Sequence, residues 1–529
     1  MSHLDRRSFL TLRRKSGVPA TTPEDQVLEP IPQALAQKLA QRAASPPNTG
    51  LAPYTGPWTR DEVIHLLRRT LFGVTPADVE YFLGKSMTAA VDEILNAPYV
   101  PPTPPVNDYN NNDFTDPDVP FGESFLDASY NAGAEFYRAE SVRAWWIRQM
   151  LGSGRSIREK MTLFWHNHLP VQFYEATFGS MLYRYLKTIR ENSLGNFKTL
   201  MRAITLDPAM LFYLNGYLNS KDAPDENYAR EIQELFVIGK DLPQYFTEDD
   251  VKAAARLLTG WTTDGFSTFF FANLHDTGDK KFSAFYNNRV ISGQSGTNAG
   301  NVELDAFLGM LFEQPEAARF VCRKIYRFFV FHEIDAQTEQ NVIGPLAQIF
   351  RDNQYDILPV LDTLFKSEHF FDYLNRGAVI KSPVDLVLGL FRHFGVQLPG
   401  DADIFDNFLI SLQMGYTMSD MLQLPGDPPN VAGWQAYYQK PFLDKLWINT
   451  GTLPKRGKFT EAMVFYGYFG LNGSQSTIDV LAWASTLTTP NNVSALIDES
   501  LELLFGLPVT QTVKDTLKPI LLSGLPNEA

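Results

Sequence analysis

The stretch TRDEVIHLLRRTLFGVTPADVEYFL, residues 59–83, contains the pattern that decides the fold. Its apolar side chains recur three and four positions apart, as on one face of a helix: Val63, Leu66, Leu67 and Leu71. Gly73 is expected to close that helix. Thr75 and Asp78 provide the N-cap and third-position chemistry that begins another helix, with Pro76 in its first turn. The stretch therefore predicts two consecutive amphipathic helices.

The same helical period recurs along most of the chain. Further helices are predicted at about 143–260, 303–395, 403–423 and 456–523. Residues 263–300 are rich in Phe, Thr, Gly and Asn and lack that period, which predicts a small β-hairpin or irregular insert. The fold class is therefore predicted to be mainly α: a large multi-helix domain with a small insert.

Three segments follow from this pattern. Residues 1–55 are expected to form an extended N-terminal arm, because they mix charged residues with Pro, Ala, Gln and Ser. Residues 56–455 are expected to form the helical domain, and residues 456–529 a C-terminal helical extension packed on it. The domain contains a proline-rich loop at 99–123, and loops of this length are usually functional or mobile.

The composition excludes several classes of protein. The 529 residues are 44% hydrophobic and 20% charged, as in a globular chain. Sixty acidic against 46 basic residues give a net charge of −14, so binding to duplex nucleic acid is not expected. The single cysteine, Cys322, excludes intrachain disulfides and cysteine-based metal sites, and its apolar surroundings predict that it is buried. No apolar run approaches 18 residues, so no transmembrane helix is predicted.

The first residues have one feature of an export signal. Arg6 and Arg7, followed by Phe9 and Leu10, are similar to the twin-arginine motif. Such a signal also needs an apolar segment of about 7–15 residues. Three more cations occupy positions 13–15 instead. Export and a cytoplasmic location therefore both stay open.

The segment FWHNHLP, residues 164–170, offers two closely spaced imidazoles. On a continuous helix His166 and His168 would point about 200° apart and could not share a metal ion. Pro170 disfavours helical dihedral angles at the residue before it, so the helix should end near His168. The second ring could then turn toward the first and form half of a metal site. The alternative is a helix end with one buried and one C-terminal imidazole.

A second candidate motif is LHDTGDKK, residues 274–281, within the aromatic insert. His275 and Asp276 could supply a metal ligand and a carboxylate, and Lys280 could bind an anion. The alternative is an ordinary polar turn with solvated charges.

A third candidate is the cationic face of the first helix. His65 shares this face with Arg68 and Arg69, three and four positions further on. A neighbouring guanidinium disfavours protonation of the imidazole, which suits a metal ligand or a base. The alternative is a helix with exposed arginines and no function.

Two more segments have side chains suited to a site. On the helix predicted at 227–235, Glu231 and Glu234 are neighbours at i and i+3 and would offer carboxylates to a metal or to general acid–base chemistry. The alternative is a solvated acidic face. The rigid loop PPNVAGW, residues 428–434, presents the ring of Trp434, which either lines a pocket or fills the core.

Common cofactor and nucleophile motifs are absent from the sequence. It contains no G-x-G-x-x-G and no G-x-x-x-x-G-K-[ST], so dinucleotide and P-loop phosphate binding are not supported. It also contains no G-x-S-x-G elbow and no H-E-x-x-H helix. No nucleotide, flavin or haem cofactor is predicted.

Taken together, the motifs resemble those of the bacterial domain-of-unknown-function (DUF) 1800 family. The matching stretches, spread over roughly residues 56–450, are HLLRRTLFGVTPADV (65–79), KMTLFWHNHLP (160–170), DPAMLFYLN (207–215), ENYAREIQELFVIG (226–239), YFTEDDVKAAARLLTGW (245–261), HDTGDKK (275–281), KIYRFFV (324–330), SPVDLVLGLFRHFG (382–395) and PPNVAGW (428–434).

The resemblance implies little about chemistry, because no activity is established for this family. Its members are often encoded beside a sulfatase-like family (DUF 1501) and often exported, which implies a partner of that kind and work outside the cytoplasm. The polar and aromatic residues that fall in family motifs are His65, Arg68, His166, Asn167, His168, Arg230, Glu231, Glu234, Trp261, His275, Asp276, Lys280 and Trp434.

The first functional hypothesis is a metal-dependent enzyme, hydrolytic or oxidative. His65, His166, His168 and His275 would converge on a divalent metal, with Asp276 or Glu231 completing its ligands. Arg68, Arg230 and Lys280 would bind an anionic substrate group or take part in the chemistry. Trp261, Trp434 and Asn167 would contact the substrate.

The second hypothesis is a non-catalytic helical scaffold. It would bind a protein or glycan partner through the loop at 99–123 and the aromatic insert. The motif histidines and arginines would then be hydrogen-bonded organisers of the core.

Overall fold

The computed structural model describes residues 49–240, 246–400, 402–434 and 446–523. Over these residues the protein is built from helices and three two-stranded antiparallel sheets, which confirms the mainly α prediction. The twin-arginine-like start and most of the predicted arm, residues 1–48, lie outside the described residues.

The helices of the first half run from the segment quoted above to the insert. They are α1 (Arg60–Thr70), α2 (Pro76–Leu83), α3 (Met87–Leu95), α4 (Glu135–Leu151), α5 (Arg158–His168), α6 (Gly179–Asn192), α7 (Phe197–Thr205), α8 (Pro208–Tyr213), α9 (Asn227–Glu231) and α10 (Glu248–Leu257). Helix α9 continues directly into a π-helix at Ile232–Val237.

The helices of the second half follow the insert. They are α11 (Ala299–Glu313), α12 (Pro315–Phe329), α13 (Ala336–Thr338), α14 (Gly344–Asp352), α15 (Leu358–Phe365), α16 (Glu368–Phe371), α17 (Pro383–His393), α18 (Ile404–Asp420), α19 (Thr452–Phe465), α20 (Val480–Ala484), α21 (Val493–Phe505) and α22 (Gln511–Leu522). A π-helical segment, Glu339–Ile343, joins α13 to α14.

The strands form three short hairpins. The predicted insert contains two: β1 (Trp261–Thr263) with β2 (Thr268–Phe270), and β3 (Lys280–Lys281) with β4 (Val290–Ile291). The third, β5 (Tyr468–Phe469) with β6 (Gln475–Ser476), interrupts a segment for which only helices were expected. Asp406 fixes this third hairpin, because its carboxylate accepts hydrogen bonds from the backbone N–H groups of Leu471, Asn472 and Ser474. That contact comes from α18, some 65 residues away, so local periodicity could not reveal it.

The local helix signals of the sequence are confirmed. Thr75 accepts a hydrogen bond from the backbone N–H of Asp78, as an N-cap residue should. Thr247 and Asp250 form a reciprocal capping box at the start of α10. Helix α5 ends at His168, as Pro170 requires.

The core lies where α4 packs against both α6 and α18, with α5 and α17 alongside. Its largest fully buried side chains include Trp146 of α4 and Trp165 of α5. Cys322 is fully buried, as predicted. Side chains of the C-terminal segment, among them Met463, Ile478 and Trp483, belong to the same apolar core. Residues 446–523 are therefore packed on the rest of the protein.

Polar contacts hold the proline-rich loop at 99–123, two of them within the loop and one to α4. Tyr109 donates to Asp116 at 2.7 Å, and the indole N–H of Trp145 donates to the carbonyl of Thr103 at 2.7 Å. The side-chain amide of Asn107 donates to the carbonyl of Val119, also at 2.7 Å. These contacts satisfy the loop's buried polar groups and give it one conformation.

Buried arginines of α4 and α6 are paired with carboxylates. Arg138 lies 2.9 Å from Asp116 and 2.7 Å from Glu135, and all three side chains are almost fully buried. The other pairs of this kind are Arg143 with Glu140 (3.1 Å) and Asp427 (2.6 Å), and Arg190 with Glu159 (2.6 Å). A buried charge is tolerated only when it is paired and hydrogen-bonded, so these contacts fix how the loops and helices meet.

None of the described helices is long and apolar enough to cross a bilayer. At the N-terminal edge of the described chain, Pro53 forms a β-bridge with Ser367, and the backbone N–H of Tyr54 donates to the carbonyl of Lys366 at 2.8 Å.

Substitution of Arg138 tests the importance of the buried pairs. Arg138→Ala should lower the free energy of unfolding by about 3–5 kcal/mol, because Asp116 and Glu135 would stay buried without a counter-charge. The matched control is Arg202→Ala, which removes an exposed pair with Asp305 and should cost at most about 1 kcal/mol. Urea unfolding followed by circular dichroism measures both, and equal losses would contradict the assignment.

Candidate functional site

Helix α1 places three basic side chains on one face. His65, Arg68 and Arg69 are spaced i, i+3 and i+4, while the opposite face of the helix is buried among apolar residues. The helix is fixed at its start by a capping box between Thr59 and Glu62. The cationic face predicted from the sequence is therefore held in one orientation.

A cavity of about 790 Å³ lies against this face. Its other walls come from one face of α17 and the segment before it, which includes Lys381, from α19 with Arg456, and from the end of α21. Most of the lining is apolar, with Leu71, Val379, Leu386, Phe394, Val464 and Phe505 among the contributors. The size and the apolar lining are typical of small-molecule sites. We call this cavity the cationic pocket.

Four cations and one carboxylate line the pocket. The cations are Arg68, Arg69, Lys381 and Arg456, and the carboxylate, Asp385, forms an ion pair with Lys160 beneath the pocket. Within the described part of the chain, none of the four cations lies within 4.0 Å of a carboxylate oxygen. Positive charge therefore accumulates in the pocket, although the protein as a whole has a net charge of −14.

Neutral groups satisfy part of the hydrogen bonding of these arginines. Arg69 donates to the carbonyl of Phe329 at 2.7 Å and to that of Phe328, and Arg68 donates to the carbonyl of Leu503. Carbonyl groups accept hydrogen bonds but do not neutralise a charge. One buried guanidinium nitrogen of Arg456 has no hydrogen-bond partner among the described residues.

The pKa values of the pocket cations also reflect the lack of carboxylate partners. Burial lowers the pKa of Arg68 to about 10 and, against the smaller opposing effect of Asp385, that of Arg69 to about 10. Lys381 keeps solvent contact through the pocket, yet the surrounding protein and then Arg68 lower its pKa to about 8. In Arg138, by contrast, burial is outweighed by Asp116 and Glu135, which raise its pKa.

Two neutral imidazoles complete the lining. His65 donates from Nε2 to the carbonyl of Phe370 at 2.9 Å, and His393 from Nδ1 to the carbonyl of Val74 at 2.7 Å. A carbonyl can only accept, so the proton lies on the bonded nitrogen in each ring. Burial, followed by Arg69, lowers the pKa of His65 to about 3, and burial lowers that of His393 to about 4. Both rings stay uncharged at neutral pH.

The other predicted metal ligands lie in separate environments. His166 is hydrogen-bonded to the Tyr185 hydroxyl at 3.0 Å and packs edge-on against Trp146. His168 donates from Nε2 to the carbonyl of Phe236 at 2.8 Å. Both rings are buried, and their other nitrogens have no hydrogen-bond partner among the described residues.

His275 belongs to a cluster of ion pairs that fixes the insert. Its Nδ1 lies 2.8 Å from the carbonyl of Thr259, and its Nε2 lies 3.1 Å from Glu303. Both ring nitrogens face acceptors, so the ring has no lone pair directed at a metal. Lys280 also pairs with Glu303, at 2.6 Å. Asp276 in turn receives two hydrogen bonds from Arg256, at 2.7 and 3.0 Å.

His65, His166, His168 and His275 therefore do not meet around one metal ion in this structure. Over residues 49–240, 246–400, 402–434 and 446–523, no group of three His, Cys, Asp or Glu side chains is arranged to hold a metal. His65 and His168 each bond one ring nitrogen to a backbone carbonyl, whereas both ring nitrogens of His275 face protein acceptors. A divalent metal and the metal-dependent reaction stay predictions from the sequence.

Of the two carboxylates proposed from the sequence, Glu231 ends α9 and Glu234 lies in the π-helix that follows it. Glu234 pairs with Arg230 at 3.5 Å and with Lys240, while Arg230 also reaches Glu248 at 2.6 Å. Burial and the charge of Glu234 raise the pKa of the half-buried Glu231 to about 7. Glu231 directly precedes the π-helical segment. These side chains are not part of the cationic pocket.

The two candidate tryptophans are buried. Trp434 packs edge-on against His166, and its backbone N–H donates to the side chain of Asn167 at 2.8 Å. Gly433 permits this approach, because a Cβ atom there would lie 2.2 Å from the carbonyl oxygen of Asn167. The structure therefore brings FWHNHLP and PPNVAGW together. Trp261 lies on β1 against Phe270, and among the described residues its ring forms no aromatic pair with either motif.

The pocket residues missed by the sequence analysis are Lys381, Asp385, His393 and Arg456, and Arg69 was named only as a neighbour of His65. The sequence did indicate that α17 matters, because SPVDLVLGLFRHFG is one of the segments that resemble the family. No signal existed for Arg456, which reaches the pocket only through the folding of the C-terminal segment.

The fold and the site define a mainly α-helical protein with a cation-lined apolar pocket. Residues 65–528 match the family model described as "Protein of unknown function (DUF1800)", and the chain belongs to this family. The resemblance seen in the motifs is thereby confirmed, and the match includes the C-terminal helices that line the pocket. No curated protein and no solved structure shows significant similarity to the chain.

The buried neutral histidines should make stability depend on pH. Burial lowers the native pKa of His166 to about 3, against about 6.5 in an unfolded chain. Between these values the unfolded state binds more protons, so stability falls as the pH is lowered below about 6.5, by about 1.4 kcal/mol per pH unit for each such histidine.

His166→Asn should remove the contribution of one proton, about 1.4 kcal/mol per pH unit, from the pH dependence of stability. The asparagine amide can still donate to the hydroxyl of Tyr185. Urea unfolding of both proteins between pH 7.5 and 5 measures the difference. The slopes should coincide near pH 7.5, where neither state binds the proton, and identical slopes at pH 5.5 would contradict the assignment.

Chelation tests whether the motif imidazoles hold a metal. We expect the melting temperature of the full-length protein to be the same before and after EDTA, because no three His, Cys, Asp or Glu side chains of the described residues are arranged to hold a metal. Elemental analysis runs in parallel. Stoichiometric metal that disappears in a His166→Ala/His168→Ala variant would contradict this expectation and support the metal-dependent enzyme.

Proposed function

We propose that this protein binds, in the cationic pocket, a small molecule that combines an apolar body with an anionic group. The observation that supports this most directly is the set of four pocket cations without a carboxylate partner among the described residues. Three of the four are half-buried, and removing part of their hydration without a counter-charge is unfavourable. An anionic ligand would supply the missing charge and strong charge-assisted hydrogen bonds.

The apolar body follows from the rest of the lining. Between the cations, the walls consist of aliphatic and aromatic side chains from α1, α17, α19 and α21. Some of these remain exposed at the surface, with Val464 at 43% and Phe505 at 59%. Covering such side chains with the apolar part of a ligand removes them from water, which is favourable.

The sequence analysis gave Arg68 the role of binding an anionic group. We keep that role for Arg68 and add Lys381 and Arg456 to it. Lys381 is suited to this role because its ammonium group is flexible and reaches the open pocket. Asp385 pairs with Lys160 and offsets the positive charge of the pocket only in part.

Four decyl probes separate charge from apolar contact. Decanoate and decyl phosphate should bind, decan-1-ol should bind about tenfold more weakly, and decyltrimethylammonium more weakly still, because hydrogen bonds to charged groups contribute about 1.5–3 kcal/mol. Isothermal titration calorimetry measures each affinity. Equal affinity for decanoate and decan-1-ol would contradict the anionic part of the proposal, and absence of binding by all four probes would contradict the whole.

Variants of the pocket locate the site. Lys381→Met and Arg456→Met should each weaken decanoate about tenfold and leave decan-1-ol unchanged. Lys455→Met is the matched control, since Lys455 neighbours Arg456 but bonds to Asp420 outside the pocket. Loss of decanoate binding in the control as well would place the anion elsewhere.

A further inference from the structure

A second cavity lies at the tip of the first hairpin of the insert. It shares no lining residue with the cationic pocket. Its volume is about 360 Å³. Its walls come from Tyr130 before α4, from the turn 175–178 before α6, from Phe212 and Tyr217 around the end of α8, and from residues 263–265. We call it the aromatic cleft.

The cleft exposes aromatic rings in pairs. Tyr130 is 60% exposed and meets Phe178 edge-on, with ring centroids 5.6 Å apart. Phe212 is 40% exposed and stacks on Tyr217 at 5.3 Å and 15°. Each exposed ring is thus held in place by a second ring, and its remaining surface is open to a ligand.

The hairpin tip fixes the shape of the cleft. Gly265 has a φ of +89°, and a Cβ atom there would lie 2.3 Å from the ring of Phe178. Only glycine allows the tip to pack so closely on that ring. The carboxylate of Asp264 accepts from the backbone N–H groups of Phe266 and Ser267 at 2.9 and 2.8 Å, which fixes the turn.

The cleft offers several hydrogen-bond acceptors beside the hydroxyl groups of its two tyrosines. Glu175 is exposed and forms no ion pair within the described part of the chain. One oxygen of Asp264 accepts the two turn hydrogen bonds, which leaves the other open. Thr177 and Thr263 add hydroxyl oxygens. No Lys or Arg is among the described residues that line the cleft, so an anionic ligand does not suit it.

These features fit the surface of a sugar. A pyranose ring presents an apolar face of C–H groups, which packs on an aromatic ring, and a rim of hydroxyl groups, which donate to carboxylates. We propose that the aromatic cleft binds a neutral oligosaccharide, with Tyr130 and Phe212 against sugar faces and Glu175 accepting from hydroxyl groups. The inference is independent of the ligand of the cationic pocket.

Titration calorimetry of the full-length protein with cellohexaose, chitohexaose and maltohexaose tests this proposal. At least one of the three should bind, and Tyr130→Ala and Phe212→Ala should each weaken it about fivefold, since a contact with an aromatic ring contributes roughly 0.5–1.5 kcal/mol. The matched control is Phe271→Ala, which removes a ring that is 49% exposed and lies outside the cleft. Both cleft rings are exposed, so the variants should melt as the parent does.

Glu175→Gln separates a sugar from a cationic peptide. The amide still accepts hydrogen bonds but has no charge, so oligosaccharide binding should weaken about fivefold at most, whereas an ion pair with hexalysine would be lost. The proposal is overturned if none of the three sugars binds at millimolar concentration, or if binding is unchanged in both aromatic variants. It is also overturned if hexalysine alone binds and Glu175→Gln abolishes that binding.

Discussion

The pairing of buried charges is the constraint on which this structure depends. Carboxylates from a loop and from neighbouring helices reach the guanidinium groups of Arg138, Arg143 and Arg190, and these contacts join the long loop at 99–123 and the segment near Asp427 to the central helices. Water is excluded there, so a charge without its partner would cost several kcal/mol. The core is therefore specified by its polar contacts as well as by apolar packing.

The cationic pocket departs from that rule. Arg68, Arg69, Lys381 and Arg456 line one cavity without carboxylate partners among the described residues, and burial lowers the pKa of each. The protein has 60 acidic residues, which would suffice to pair these cations with carboxylates as Arg138, Arg143 and Arg190 are paired. The uncompensated charge is therefore the feature that distinguishes this cavity from the core, and it supports the proposal of an anionic ligand. The aromatic cleft has the opposite character, with carboxylates and no lining cation among its described residues.

The histidine motifs show how a sequence can indicate important residues and leave their role open. His166, Asn167 and Trp434 do come together, so the two family motifs that contain them meet in space. His65, His168 and His275, however, bond to the carbonyls of Phe370, Phe236 and Thr259. A backbone carbonyl can accept from a ring nitrogen whatever side chain its residue has, so no pattern of residue types in the sequence indicates this partner.

The sequence by itself determined the mainly α fold, the caps at Thr75 and Thr247, the end of α5 near His168 and the hairpin character of the insert. These features depend on residues within a few positions of one another, whose periodicity and cap chemistry can be read directly. Only the tertiary structure decided which cations share a cavity. Arg68 and Arg456 lie almost four hundred residues apart in the chain, and each is an ordinary helical arginine by its neighbours. Their shared environment arises because the C-terminal helices pack on α1 and α17, and that packing depends on the shapes of distant surfaces.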